Sequence, residues 1–185
     1  MTRDALKEAA MLTMRAAKRR MEKKGLIDMY FVYVRPDGSV EREDVDGSVV
    51  NSPEAKSIQF KDAGQRARQI GAEAVIYVSD AWFLDPRGQE YEPNIAALGI
   101  EVAREIADEV GVVEAARLGL GKALEVIQVV LQTPNWNYSL IQEYERLGTS
   151  KMFIRFVGQP HEFDDSDGTA RASGRGMAFF RGGAA

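Results

Sequence analysis

Three runs near the end of the chain decide the fold: ALEVIQVVLQ (residues 123–132), NYSLIQEYER (137–146) and KMFIRFVG (151–158). Each is rich in β-branched, aromatic and long aliphatic residues, and the separators are Thr133-Pro134-Asn135 and Gly148-Thr149-Ser150. Apolar runs of strand length separated by short turn sequences predict an antiparallel three-stranded meander.

Working back from the meander, AEAVIYVSDAWFLD (72–85) is apolar at nearly every position around Val75, Ile76, Tyr77 and Val78. Such a run predicts a strand buried on both faces, with Trp82 at its end in the core. LIDMYFVYVR (26–35), the turn Pro36-Asp37-Gly38-Ser39 and the return run SVEREDVDGS (39–48) have the composition of a β-hairpin whose second strand is a charged, solvated edge.

Between these runs the period changes to that of helices. Leu6, Ala10, Met14, Ala17 and Met21 recur at three- and four-residue spacing, which predicts a helix over 3–24 with Thr2 as N-cap and Gly25 as stop. Phe60, Ala63, Ala67 and Ile70 mark a second helix ending at Gly71, and Ile95, Leu98, Val102, Ile106 and Val110 a third ending near Gly111. Helices interleaved with local hairpins, without regular βαβ alternation, favour an α+β two-layer domain. The expected domain covers residues 1–158, with a mostly antiparallel sheet of five or six strands and two or three helices. Residues 159–185 are expected to form a flexible Gly-rich tail.

Composition narrows the function. The 185 residues include no cysteine and one histidine, His161, so cysteine nucleophiles, thiolate metal sites and His-pair metal sites are excluded. No apolar stretch is long enough to cross a membrane, and the start MTRDALKEAA is acidic where a signal peptide is basic, so a cytoplasmic protein without membrane contact is expected. Net charge is −4, which does not suggest a nucleic-acid binder at the level of the whole molecule.

Catalytic motifs fail one by one. Asp165-Ser166-Asp167-Gly168-Thr169 resembles the D-x-D-G-T signature of haloacid-dehalogenase-type phosphotransferases, but it follows polar GQPHEFD instead of a buried strand and only sixteen residues come after it. Read as a calcium loop, the same acids put Phe163 and Gly174 where carboxylates are required. Gly119-Leu120-Gly121-Lys122 lacks the first glycine and the Ser or Thr of a phosphate loop, since Ala116 and Ala123 occupy those places. His161 has no nucleophile in a supporting motif. No cofactor and no metal are expected. A carboxylate-based hydrolase built from Asp80, Asp85 and Glu90 remains an alternative, provided that these acids converge in a pocket.

The basic run 15–24 carries the remaining functional signal. Arg15, Lys18, Arg19 and Lys23, joined by Trp136 and Tyr138 beside a Pro/Asn turn, are the candidate partner-binding residues. Two readings compete. One is a non-enzymatic protein-interaction or assembly module that docks on an acidic protein surface or self-associates, with the acids Glu41 to Asp46 of another copy as one complement. The other is a nucleic-acid-binding accessory protein using this helix together with Arg175, Phe179, Phe180 and Arg181.

The succession GAEAVIYVSDAWFLDP, KALEVIQVVLQTPNWNYSLIQEYER and KMFIRFVG, over roughly residues 60–158, resembles a loosely defined group of bacterial and phage-borne α/β proteins. The resemblance lies in the strand pattern and the Ala81-Trp82 step, and the helix at 94–121 departs from it. It implies a fold and a bacterial or phage setting, and the group carries no activity to transfer.

Overall fold

A computed structural model describes residues 1–45, 53–86, 89–147 and 153–165. The elements in chain order are α1 (Arg3–Lys24), β1 (Tyr30–Val34), β2 (Val40–Asp44), α2 (Pro53–Gln69), β3 (Ala74–Asp85), α3 (Glu92–Leu98), α4 (Ile100–Val110), α5 (Val112–Arg117), β4 (Lys122–Gln132), β5 (Asn137–Arg146), β6 (Ile154–Phe156) and β7 (His161–Asp165). All strand pairs are antiparallel, in the order β2-β1-β3-β4-β5-β6, with β7 also pairing β5. This is an α+β fold, as the sequence indicates.

Side-chain alternation along the strands divides the core into two layers. Ala74, Ile76 and Val78 of β3, with Tyr30, Val34, Ile127, Val129, Leu131, Leu140 and Tyr144, pack against Leu6, Ala10, Met14, Ala17 and Met21 of α1. The odd-numbered side of β3, Val75 and Tyr77, joins Phe31, Tyr33 and Val130 under Phe60, Ala63 and Ala67 of α2. The aromatic rings of Phe31, Phe60 and Tyr77 meet there, Phe60 and Tyr77 edge to face with centroids 4.9 Å apart. Alanines at positions 10, 17, 63 and 67 bring each helix close to the sheet, where a larger residue would hold it away.

Three expectations need correction. The chain does not leave the sheet at Gln159: β7 pairs with the first half of β5, from Asn137↔Asp165 to Ile141↔His161, while β6 pairs with its second half, from Tyr144↔Phe156 to Arg146↔Ile154. The two short strands therefore share one edge, and the sheet extends at least to Asp165. The single helix expected over 94–110 is instead α3 and α4, parted at Gly99, and α5 follows after Gly111; both glycines have positive φ, which ends a helix. Trp82 is not in the core. It shares the α1 side of β3 with Asp80 but lies 52% exposed. The Asp165–Thr169 motif beyond its first residue, the end of the return run from Asp46, the Gly148-Thr149-Ser150 separator and the Gly-rich segment from 166 onward lie outside the described residues.

The α3–α5 excursion docks through Ala103, Ala115 and Leu120 against Leu84 of β3. Leu84 has the same parity as Ile76 and Val78, so α1 and this excursion flank the same side of the sheet. Among the described residues no helix is long and apolar enough to cross a membrane.

Candidate functional site

Because α1 buries one stripe on the sheet, its cations before Lys24 fall into two groups according to their place on the wheel. Those flanking the buried stripe are engaged within the chain. Arg3 and Lys7 both bind Asp164 on β7, and they lie over the rings of Trp136, at 4.8 Å, and Tyr138, at 5.2 Å. Lys18 donates from Nζ to Gln142 Oε1 at 3.0 Å and sits 4.3 Å above the centre of the Phe156 ring. Arg20 pairs with Asp28 at 2.6 Å.

Arg15, Arg19 and Lys23 form the second group. At intervals of four residues they make one ridge along the outer face of the helix, exposed together with Leu12 and Ala16. Among the described residues none of the three has an ion pair or a hydrogen bond from its side chain. Lys18 differs in its electrostatics as well as its contacts: burial pulls its pKa below the ordinary lysine value, against the opposing charge of Glu22. The ridge cations have no comparable internal role.

The structure thus separates the six residues that the sequence singled out. Arg15, Arg19 and Lys23 stand together on the outer ridge, and Lys18 belongs to the packing between α1 and β5. Tyr138 is buried and donates to Glu162 at 2.7 Å; burial and then the Glu162 carboxylate raise its pKa. Trp136 is half-buried beneath the Arg3 guanidinium, in a turn closed by Thr133, whose hydroxyl donates to the Trp136 carbonyl at 2.9 Å and accepts from the Trp136 amide at 3.0 Å. Neither aromatic belongs to the ridge. Their signal in the sequence, aromatics beside a turn, reflects how α1 is clamped to the β5–β7 edge.

The carboxylates offered for hydrolysis do not converge. Asp80 and Asp85 are five positions apart on one continuous strand, so their side chains leave opposite faces, and Glu90 is an exposed turn residue beyond it. Asp80 instead accepts from Tyr144 Oη at 2.5 Å and lies 3.6 Å from Arg146, which also donates to Glu125 at 3.0 Å and to the Gly25 carbonyl at 2.8 Å. Burial raises the Asp80 pKa, opposed by the Tyr144 hydroxyl and the Arg146 charge. This network ties the end of α1 to the sheet. The recess on the other face, lined by Phe83, Leu124, Val126, Ile141, Glu143, His161 and Phe163, holds about 20 Å³, room for roughly one water. Among the described residues no three His, Asp or Glu side chains gather as a metal site.

Among the described residues, the acids of the hairpin are already paired within the chain. Glu41 binds Arg35 and Arg66, Glu43 lies 3.5 Å from Arg66, and Asp44 binds Arg42. Glu41, Glu43 and Asp44 thus already have cationic partners of their own within the chain. The class defined by these observations is an α+β domain with helices on both faces of an antiparallel sheet and a basic ridge on the first helix that has no partner among the described residues. Neither a family model nor a curated protein nor a solved structure matches the chain.

Proposed function

We propose that the protein is a non-enzymatic protein-interaction or assembly module that docks through the outer ridge of α1 onto an acidic protein surface. The observation that carries this reading is the division of the helix: Arg3, Lys7, Lys18 and Arg20 hold the fold, while Arg15, Arg19 and Lys23 stand exposed in one row beside Leu12, without a partner among the described residues. A row of cations at helical spacing next to an aliphatic side chain suits a partner helix that carries carboxylates at the same interval. A bacterial or phage assembly is the setting that the sequence resemblance suggests, with the cytoplasm as compartment.

Nucleic acid is the competing ligand for the same cations, and the overall charge of −4 disfavours it. The test uses two probes against the full chain: a labelled helical peptide bearing glutamates at four-residue intervals, and mixed-sequence DNA and RNA, each titrated at about 50 and 200 mM salt. The expected result is peptide binding that disappears in an Arg15→Glu, Arg19→Glu, Lys23→Glu variant of unchanged circular dichroism. Nucleic-acid binding with a steep salt dependence, lost in the same variant while the peptide is ignored, would overturn the proposal.

A further inference from the structure

The geometry points to a second copy of this chain as the partner of the ridge, with the acidic outer face of α4 as the surface it meets. This inference rests on the reading of α1 as a protein-docking ridge and names its occupant.

The α3–α5 excursion carries the opposite excess of charge to α1, with six acids against Arg104 and Arg117. On α4, Glu105, Asp108 and Glu109 are exposed, and among the described residues no cation pairs with them. Glu101 leads the same row but already interacts within its own chain. Val102 and Val110, 44% and 43% exposed, run beside these acids as Leu12, 53% exposed, runs beside the cations of α1. The inner face of α4 is occupied, because Ala103 is buried and Ile106 and Ala107 pack on Ala115 and Leu120.

Spacing makes the two faces complementary. Glu105 and Glu109 repeat the four-residue interval of Arg15, Arg19 and Lys23, a rise of about 6 Å on either helix. At a single register two carboxylates therefore meet two cations, with Asp108 beside them. The hairpin acids cannot serve in this role, since Arg35, Arg42 and Arg66 already hold them.

Placement makes the pairing reciprocal. Leu84, on which the excursion docks, and the β3 residues under α1 point to the same side of the sheet. A basic and an acidic helix on one side of a molecule can be exchanged by a two-fold axis, so that α1 of each copy meets α4 of the other. The contact then occurs twice and closes as a dimer.

The experiment is charge-swap rescue in the full chain. Variant A carries Arg15→Glu, Arg19→Glu and Lys23→Glu; variant B carries Glu105→Lys, Asp108→Lys and Glu109→Lys. Light scattering and sedimentation of the unaltered protein should give twice the 20.5 kDa chain mass, with a dissociation constant in about the micromolar range that weakens with salt. A alone and B alone should each be monomeric, because both of their contacts become like-charged. An equimolar mixture of A and B should recover the dimer, since both contacts in that pair again join opposite charges. A monomeric unaltered protein, a dimer indifferent to B, or a mixture that stays monomeric would overturn the inference. Those failures leave the ridge reading to the peptide and nucleic-acid titrations above, which do not depend on self-association.

Discussion

Lys18 Nζ donates to Gln142 Oε1 at 3.0 Å, joining a lysine of the first helix to a fully buried side chain in the fifth strand. The Gln142 amide nitrogen completes the arrangement by donating to the carbonyls of Glu143 and Val157, each at 2.9 Å. All the hydrogen-bonding capacity that this buried amide must satisfy is met from α1 on one side and the β5–β6 edge on the other. Gln142→Leu keeps the volume and removes those bonds, leaving a half-buried ammonium without its acceptor and the Glu143 and Val157 carbonyls without that donor. The expected cost is about 1–3 kcal/mol of unfolding free energy, read from urea denaturation. Lys18→Met in the same background should recover part of the loss, and a full additive loss would show that the two side chains are not coupled.

The Tyr144 hydroxyl donates to Asp80 at 2.5 Å and accepts from Arg146 at 3.1 Å. Burial holds the Asp80 pKa above the usual carboxylate range, and the hydroxyl opposes that rise. An acid whose folded pKa exceeds its unfolded value binds its proton more tightly when folded. Its contribution to stability is therefore full below the unfolded pKa and is lost as pH rises through the folded one. Tyr144→Phe should move the Asp80 titration to higher pH, followed by carboxyl NMR, and lower stability at pH 7 by about 1–3 kcal/mol. An unchanged or lower Asp80 pKa in the variant would contradict this assignment.

Asp164 behaves in the opposite sense. The hydrogen bond from Lys7, and then that from Arg3, hold its carboxyl below the ordinary aspartate value. A depressed folded pKa gives stability that is present above the unfolded pKa and lost as pH falls through the folded one. Since the pair lies near the surface, Asp164→Asn is expected to lower stability at pH 7 by only about 0.2–1 kcal/mol. The difference from the unaltered protein should begin to close below about pH 4. A gap that widens on acidification would show that the interaction stabilises through something other than the charge.

Gly121 precedes β4 with φ +155°, and a Cβ there would stand 2.6 Å from the Asp85 carbonyl oxygen. The clash is with backbone at the end of β3, so no rotamer change relieves it. Gly121→Ala should destabilise the protein by about 1–3 kcal/mol or more by thermal unfolding. Fraying is expected first between Asp85 and Lys122, which face each other in the register of β3 and β4. Hydrogen exchange would show that local opening, and uniform protection across this end of the ladder would argue against it.

Local periodicity determined much of this protein. The five apolar positions that recur at helical spacing in residues 3–24, Leu6, Ala10, Met14, Ala17 and Met21, are those that α1 buries, and every strand expected up to residue 157 is present. Both features repeat over a few residues, so the chain carries them without reference to distant contacts. Strand parity also held a signal that the acid motifs obscured: an interval of five residues sends Asp80 and Asp85 to opposite faces. The short β7 was concealed by its polar composition, since HEFDD becomes a strand through pairing with β5 and the attachment of Asp164 to α1.

Tertiary structure alone decided which cations and aromatics are available. Lys18 and Arg19 are neighbours in the sequence, yet Gln142 and Phe156, more than a hundred residues away, engage the first and leave the second in solvent. Trp82 lies exposed because the α1 packing layer does not cover it, although it shares a strand and a face with the buried Ile76 and Val78. A side chain's chemistry is written at its own position, but its burial and its partners are properties of the surfaces that folding brings against it.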